Sequence, residues 1–129
     1  MAGVIREGFA GWSRGDLNQA LQSLDPDFEF VPSGIFPGLD HAYRGHDGFA
    51  KFFDDFRGAW EEISIEVEQL LECPPLAYLM VGHFRAAARD GLVVERPVTI
   101  LITTGDGMIK RMESFASRDE AFAAAGIGG

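Results

Sequence analysis

A single cysteine, Cys73, stands beside Pro74-Pro75, so no disulfide framework holds this chain and nothing in it asks for an oxidising compartment. Positive charge is also scarce. Eleven basic residues face 20 acidic ones, and a net charge of -9 repels phosphate backbones and anionic membranes. No nucleic acid and no membrane is expected among the partners. No apolar run approaches the roughly 20 residues of a membrane span, and the opening MAGVIREGFAGW lacks a basic region followed by an apolar signal core. A soluble, cytoplasmic protein is expected. A Gly-rich phosphate loop is missing, Ser33 and Ser114 lack a G-x-S-x-G elbow, and Cys73 has no nearby histidine in the sequence, so nucleophilic catalysis has little support. His41 and His46 flank Tyr43-Arg44-Gly45 without a helical H-x-x-x-H or a cysteine pair, so neither a metal nor another cofactor is expected.

What the chain does have is apolar pattern. At 129 residues and 47% hydrophobic it suffices for one domain, residues 1–129, burying roughly two-thirds of its unfolded surface. Residues 76–88, 92–104 and 108–116 are long apolar runs joined by Asp90-Gly91 and Gly105-Asp106-Gly107, which supply the positive-φ residues of hairpin turns. An antiparallel meander is predicted. Ser117-Arg118-Asp119-Glu120 is a capping box for a short C-terminal helix that Gly126 ends.

Upstream, Ile5, Phe9 and Trp12 recur at helical spacing as far as Arg14-Gly15, and Asp16 caps a second helix with Leu17, Ala20, Leu21 and Leu24 on one face. Asp25-Pro26-Asp27 breaks that helix, and Phe28 to Val31 reads as a short strand. The stretch 32–44 is a long loop whose Ile35, Phe36 and Leu39 imply that it folds over something. After Gly45, Phe49, Phe52, Phe53, Phe56 and Trp60 form the stripe of a principal helix. Ile63, Ile65, Val67 and Leu71 then alternate with Glu62, Ser64, Glu66, Glu68 and Glu72, a half-buried strand near a sheet edge. Helices before a meander imply a cone-shaped sheet around a helix and a small-molecule pocket.

Alternation places His83 and Arg85 on one strand face and Met80, Phe84 and Ala86 on the other. Either the first face enters the pocket, as base and anion clamp, or it is the solvated outer face. The apolar set suits a cavity better.

Several segments together resemble the SnoaL-like group of the nuclear transport factor 2 (NTF2)-like superfamily along nearly the whole chain. They are Asp25-Pro26-Asp27-Phe28-Glu29-Phe30, Tyr43-Arg44-Gly45-His46-Asp47-Gly48, Phe56-Arg57-Gly58-Ala59-Trp60-Glu61-Glu62, Asp106-Gly107-Met108-Ile109-Lys110-Arg111 and the run from Asp119 to Ile127. The resemblance implies an α+β NTF2-like, cystatin-like fold: a cone-shaped barrel whose curved mixed or antiparallel sheet packs on N-terminal helices, with a short C-terminal helix. It also implies a homodimer through the outer sheet face, where Tyr78, Val81 and Ile102 are expected to lack cover. Activities in such domains include polyketide cyclisation, ketosteroid isomerisation, epoxide hydrolysis, dehydration and binding without catalysis, so fold alone assigns none.

Matched against the ketosteroid isomerases, which use a carboxylate base and an oxyanion hole of Tyr and protonated Asp, the chain departs at each station. The base falls at Pro32, the oxyanion tyrosine at Gly8, its supporting tyrosine at Phe53 and the protonated acid at Thr99. A small hydrophobic molecule is the expected partner, in a cavity of roughly 300–1,000 Å³ with its mouth at the 32–44 loop. Trp12, Phe36, Tyr43, Phe53, Phe84, Thr99, Met112 and Ser114 are its expected lining. For proton transfer, His41 and Tyr43 are the candidate catalytic pair, ahead of His83 and Glu113, since His titrates near neutrality and Tyr can donate to a ligand oxygen. A binding protein without turnover and a protein-interaction module are the alternatives.

Overall fold

The computed structural model describes residues 1–32, 42–58, 60–115 and 117–126. Two helices open the chain, α1 (Ala2–Arg14) and α2 (Leu17–Gln22), separated by Gly15, whose φ of 79° closes α1 in the left-handed region. Asp16 caps α2 by accepting from the Gln19 backbone N–H at 3.0 Å. Leu24 is not on that helix as expected. The Ser23 hydroxyl bonds the Ala20 carbonyl at 2.9 Å, the helix stops, and Leu24 opens β1 (Leu24–Val31). The strand thus begins before Phe28. Pro26 is tolerated because pairing with the neighbouring strand shifts register between Leu24 and Glu29.

A short β2 (Tyr43–Arg44) leads into α3 (Gly45–Arg57), which buries Phe49, Phe52, Phe53 and Phe56. Trp60 lies beyond the helix end, yet still packs against the core. The meander follows as β3 (Glu62–Cys73), β4 (Ala77–Ala87), β5 (Val93–Gly105) and β6 (Met108–Phe115), all antiparallel in sequence. Asp106 and Gly107, at φ 54° and 76°, make the tight β5–β6 turn. The sheet order is β2-β1-β6-β5-β4-β3, with β1 parallel to β6 and β3 on the edge. Gly82 is required where β3 bulges between Val67 and Gln69, since a Cβ there would sit 2.2 Å from the Glu66 carbonyl oxygen.

Helices α1–α3 fill one face of this curved sheet, and α4 (Arg118–Ala125) lies on the other. The Ser117 hydroxyl accepts from the Glu120 N–H at 3.1 Å, as the capping box requires. Under α4, Leu79 and Ala121 are buried with Leu71, Ala77, Leu101 and Phe115 around them. Tyr78 and Ile102 therefore do not stand on an uncovered outer face. They pack into the main core, because strand alternation from Met80 and Ile100 points them inward.

Candidate functional site

Between the helices and the concave sheet lies a cavity of about 50 Å³. Helix α1 contributes Ile5, Gly8, Phe9 and Trp12, which recur at i, i+3, i+4 and i+7 and so share one face. From α3 come Phe49, Phe52 and Phe56, and from the sheet Phe84, Ile100, Met112 and Ser114 among others. The cavity is far smaller than the sequence suggests, because aromatic rings from α1, α3 and β1 pack against one another across the space. Phe52 alone meets Trp12, Phe30, Tyr43, Phe49 and Phe56 with ring centroids 4.7–6.3 Å apart.

Three lining residues carry polar side-chain atoms, Trp12, Ser23 and Ser114, and the Ser23 hydroxyl is taken up by the Ala20 carbonyl. Trp12 Nε1 and Ser114 Oγ are buried and have no hydrogen-bond partner among the described residues. Trp12 is held firmly. Its indole stacks on Phe52 at 6.3 Å, Phe56 meets it edge-on at 5.9 Å, and the Arg57 guanidinium lies 5.7 Å over its ring. Arg57 also donates to the Trp12 carbonyl at 2.8 Å, and burial lowers its pKa.

Of the expected lining, Trp12, Phe84, Met112 and Ser114 border the cavity. Phe53 instead lies under Arg57, 5.1 Å from its guanidinium, away from the lining. Tyr43 is buried, but its hydroxyl donates to Asp55 at 3.3 Å and it is not among the lining residues. Thr99 faces the opposite side of the sheet, paired with Val81, while Val98 and Ile100 take the inner face. His41 and Phe36 lie outside the described residues, as do residues 33–41 of the loop expected at the mouth. Sequence reasoning missed the other fourteen described lining residues, among them Phe49, Phe52 and Phe56 of α3, Gly8 and Ser23. The signal for Gly8 was present, a residue without a side chain within the apolar stripe of α1.

His83 and Arg85 lie on the outer face, where Arg85 pairs with Glu95 at 3.1 Å and His83 stands 3.9 Å from Glu68. Glu113 is held by Arg111 at 2.9 Å. Elsewhere on the surface, Lys110 binds Asp25 at 2.8 Å and pulls its carboxyl below the usual range, as Arg111 does for Glu29. These pairs join β1 to β6 and leave the cavity untouched. Among the described residues, no three His, Cys, Asp or Glu side chains gather as a metal site.

The SnoaL-like domain model matches residues 5–112. The chain belongs to the SnoaL-like family. An uncharacterised protein of Mycobacterium tuberculosis is 30% identical over 118 residues, 87% of this chain and 85% of its own length. An NTF2-like protein of unknown function from Burkholderia pseudomallei superposes with a TM-score of 0.80 at 22% identity, covering 95% of this chain and 94% of the other. TerC, co-crystallised with polyporic acid, superposes equally well, at 0.80 and 22% identity over 96% and 95% of the two chains. These structures establish the NTF2-like fold.

Within this SnoaL-like domain the isomerase stations carry no acid or base. Pro32 is fully buried, Gly8 packs so closely on Ser23 that a Cβ would sit 2.8 Å from its hydroxyl, Phe53 packs on Arg57 and Thr99 faces outward. Among the described lining residues none is ionisable, so the wall itself offers desolvation, aromatic contact and two unpartnered neutral polar atoms.

Proposed function

We propose that this SnoaL-like protein binds a small hydrophobic molecule in its cone, without acid-base turnover by the described wall. The observation that carries the reading is the cavity itself: eighteen lining residues from three helices and the sheet, none with an ionisable side chain. A charged guest would lose its hydration there and find no counter-charge, whereas an apolar one gains roughly 25 cal/mol for each Å² removed from water. At about 50 Å³ the space suits a guest of a few heavy atoms, and larger rings require side chains to move. Met112, unbranched and polarisable, is the member best able to do so. TerC, crystallised with polyporic acid, gives the reading a precedent within the fold.

Isomerase, cyclase or hydratase chemistry would need an acid-base group from outside the described lining, and His41 with Tyr43 is the candidate pair. A His41→Ala variant with full activity on a discovered substrate would remove it. A homodimer through the outer sheet face belongs to the same proposal.

Native mass spectrometry of freshly purified protein tests the binding reading: a retained neutral mass that denaturation releases is expected. Phe84 packs edge-on against Phe56 at 5.4 Å within the lining, so Phe84→Trp should abolish retention. Equal retention by that folded variant would place the ligand elsewhere.

A further inference from the structure

We propose that the guest carries one uncharged oxygen, a carbonyl or hydroxyl, recognised by the Trp12 indole N–H and the Ser114 hydroxyl. The proposal rests on the binding reading above and specifies its chemistry. Buried polar groups in folded proteins are nearly always hydrogen-bonded, and each exception calls for a reason. Here the two exceptions among the described residues, Trp12 Nε1 and Ser114 Oγ, both belong to residues that line one cavity. They come from different elements, α1 and β6, so no single local distortion explains both. Trp12 is 5% exposed and Ser114 0%, which leaves neither side chain open to bulk water.

Their chemistry restricts the ligand. An indole N–H only donates, so its partner must accept; a hydroxyl both donates and accepts. A ketone or aldehyde oxygen satisfies both by accepting twice. An alcohol or phenol accepts from Trp12 and donates to Ser114. An ammonium group has nothing to offer the indole N–H, and a carboxylate would meet no cation in the described wall. The donor is also fixed in advance. Stacking on Phe52, the edge contact with Phe56 and the Arg57 bond to the Trp12 carbonyl hold the indole before any ligand arrives. Little freedom is then lost on binding.

Matched small probes test this: cyclopentane against cyclopentanone, then indane against 1-indanone and 1-indanol, titrated into ¹⁵N-labelled protein. The chain has two tryptophans, so Trp12 and Trp60 give two separable indole signals. The ketones should bind tenfold or more tightly than the hydrocarbons and shift the Trp12 indole proton downfield while leaving that of Trp60 in place. Ser114→Ala and Trp12→Phe should each narrow the ketone-to-hydrocarbon affinity ratio at least threefold, whatever the change of wall volume does to both members of a pair. If hydrocarbons and ketones bind alike, the cavity reading stands and the oxygen proposal falls. A ketone preference unchanged in both variants overturns it too. If no member of either series binds at millimolar concentration, the apolar-cavity reading itself fails and takes the proposal with it.

Discussion

Ser114 carries a stability cost within the cavity wall. Its hydroxyl is fully buried on β6 with no partner among the described residues, and leaving such a group unsatisfied costs about 1–3 kcal/mol. Alanine removes the cost and little volume. Ser114→Ala should therefore raise the unfolding free energy by about 1 kcal/mol in urea titrations while weakening ketone binding. A loss of stability of the same size would mean that the hydroxyl already has a partner. Thr99 gives a different lesson. Val98, Ile100 and Ile102 alternate as the apolar set of β5, which places Thr99 on the other face, but matching to the isomerase station put it inside. A slip of one residue reverses every side chain on a strand, so a family match good to about one residue cannot decide facing.

Helices, caps and hairpins were legible because their signals are local. Asp16, Ser117, Gly126 and the Asp106-Gly107 turn each act within a few residues of their own position. What was illegible depends on distant partners: the end of α2 at Ser23, the volume left between rings, and the cover that α4 gives Leu79 and Leu101. Arg57 is one such partner, joining the end of α3 to that of α1 through the carbonyls of Trp12 and Ser13 at 2.8 and 3.4 Å. Arg57→Met should lower stability by about 2 kcal/mol and change the tryptophan fluorescence, because both the charged hydrogen bonds and the ring contacts are lost. The Asp25–Lys110 pair ties β1 to β6, and its bond to Lys110 holds the Asp25 carboxyl below its ordinary value of 3.8. A carboxyl lowered by folding stabilises fully above its unfolded pKa and loses that contribution as pH falls through the folded one. Acid titration of the unfolding free energy should thus show a decline below about pH 4 that is shallower in Asp25→Asn.

At the scale of the molecule, the outer sheet face is divided. Helix α4 covers Leu79, Leu101 and Phe115, and ion pairs of Arg85 with Glu95 and Glu62 occupy the far end. Between them Val81 and Thr99 sit side by side on β4 and β5, the area through which a homodimer is proposed. An interface of this kind is isologous, so two copies of the same patch, on two chains of the same net charge, meet. Each chain carries a net charge of -9, and self-repulsion opposes the encounter most when little salt is present. Raising ionic strength from about 0.01 to 0.15 M shortens the screening length from roughly 30 to 8 Å, which weakens that repulsion and leaves apolar contact almost unchanged. Association should consequently tighten with added salt, the reverse of a dimer held by complementary charges. Light scattering on size-exclusion fractions at both salt concentrations measures this directly. A monomer in both, at tens of micromolar protein, would end the dimer proposal, and Val81→Glu should yield that monomer at either concentration while preserving ligand retention in the cone.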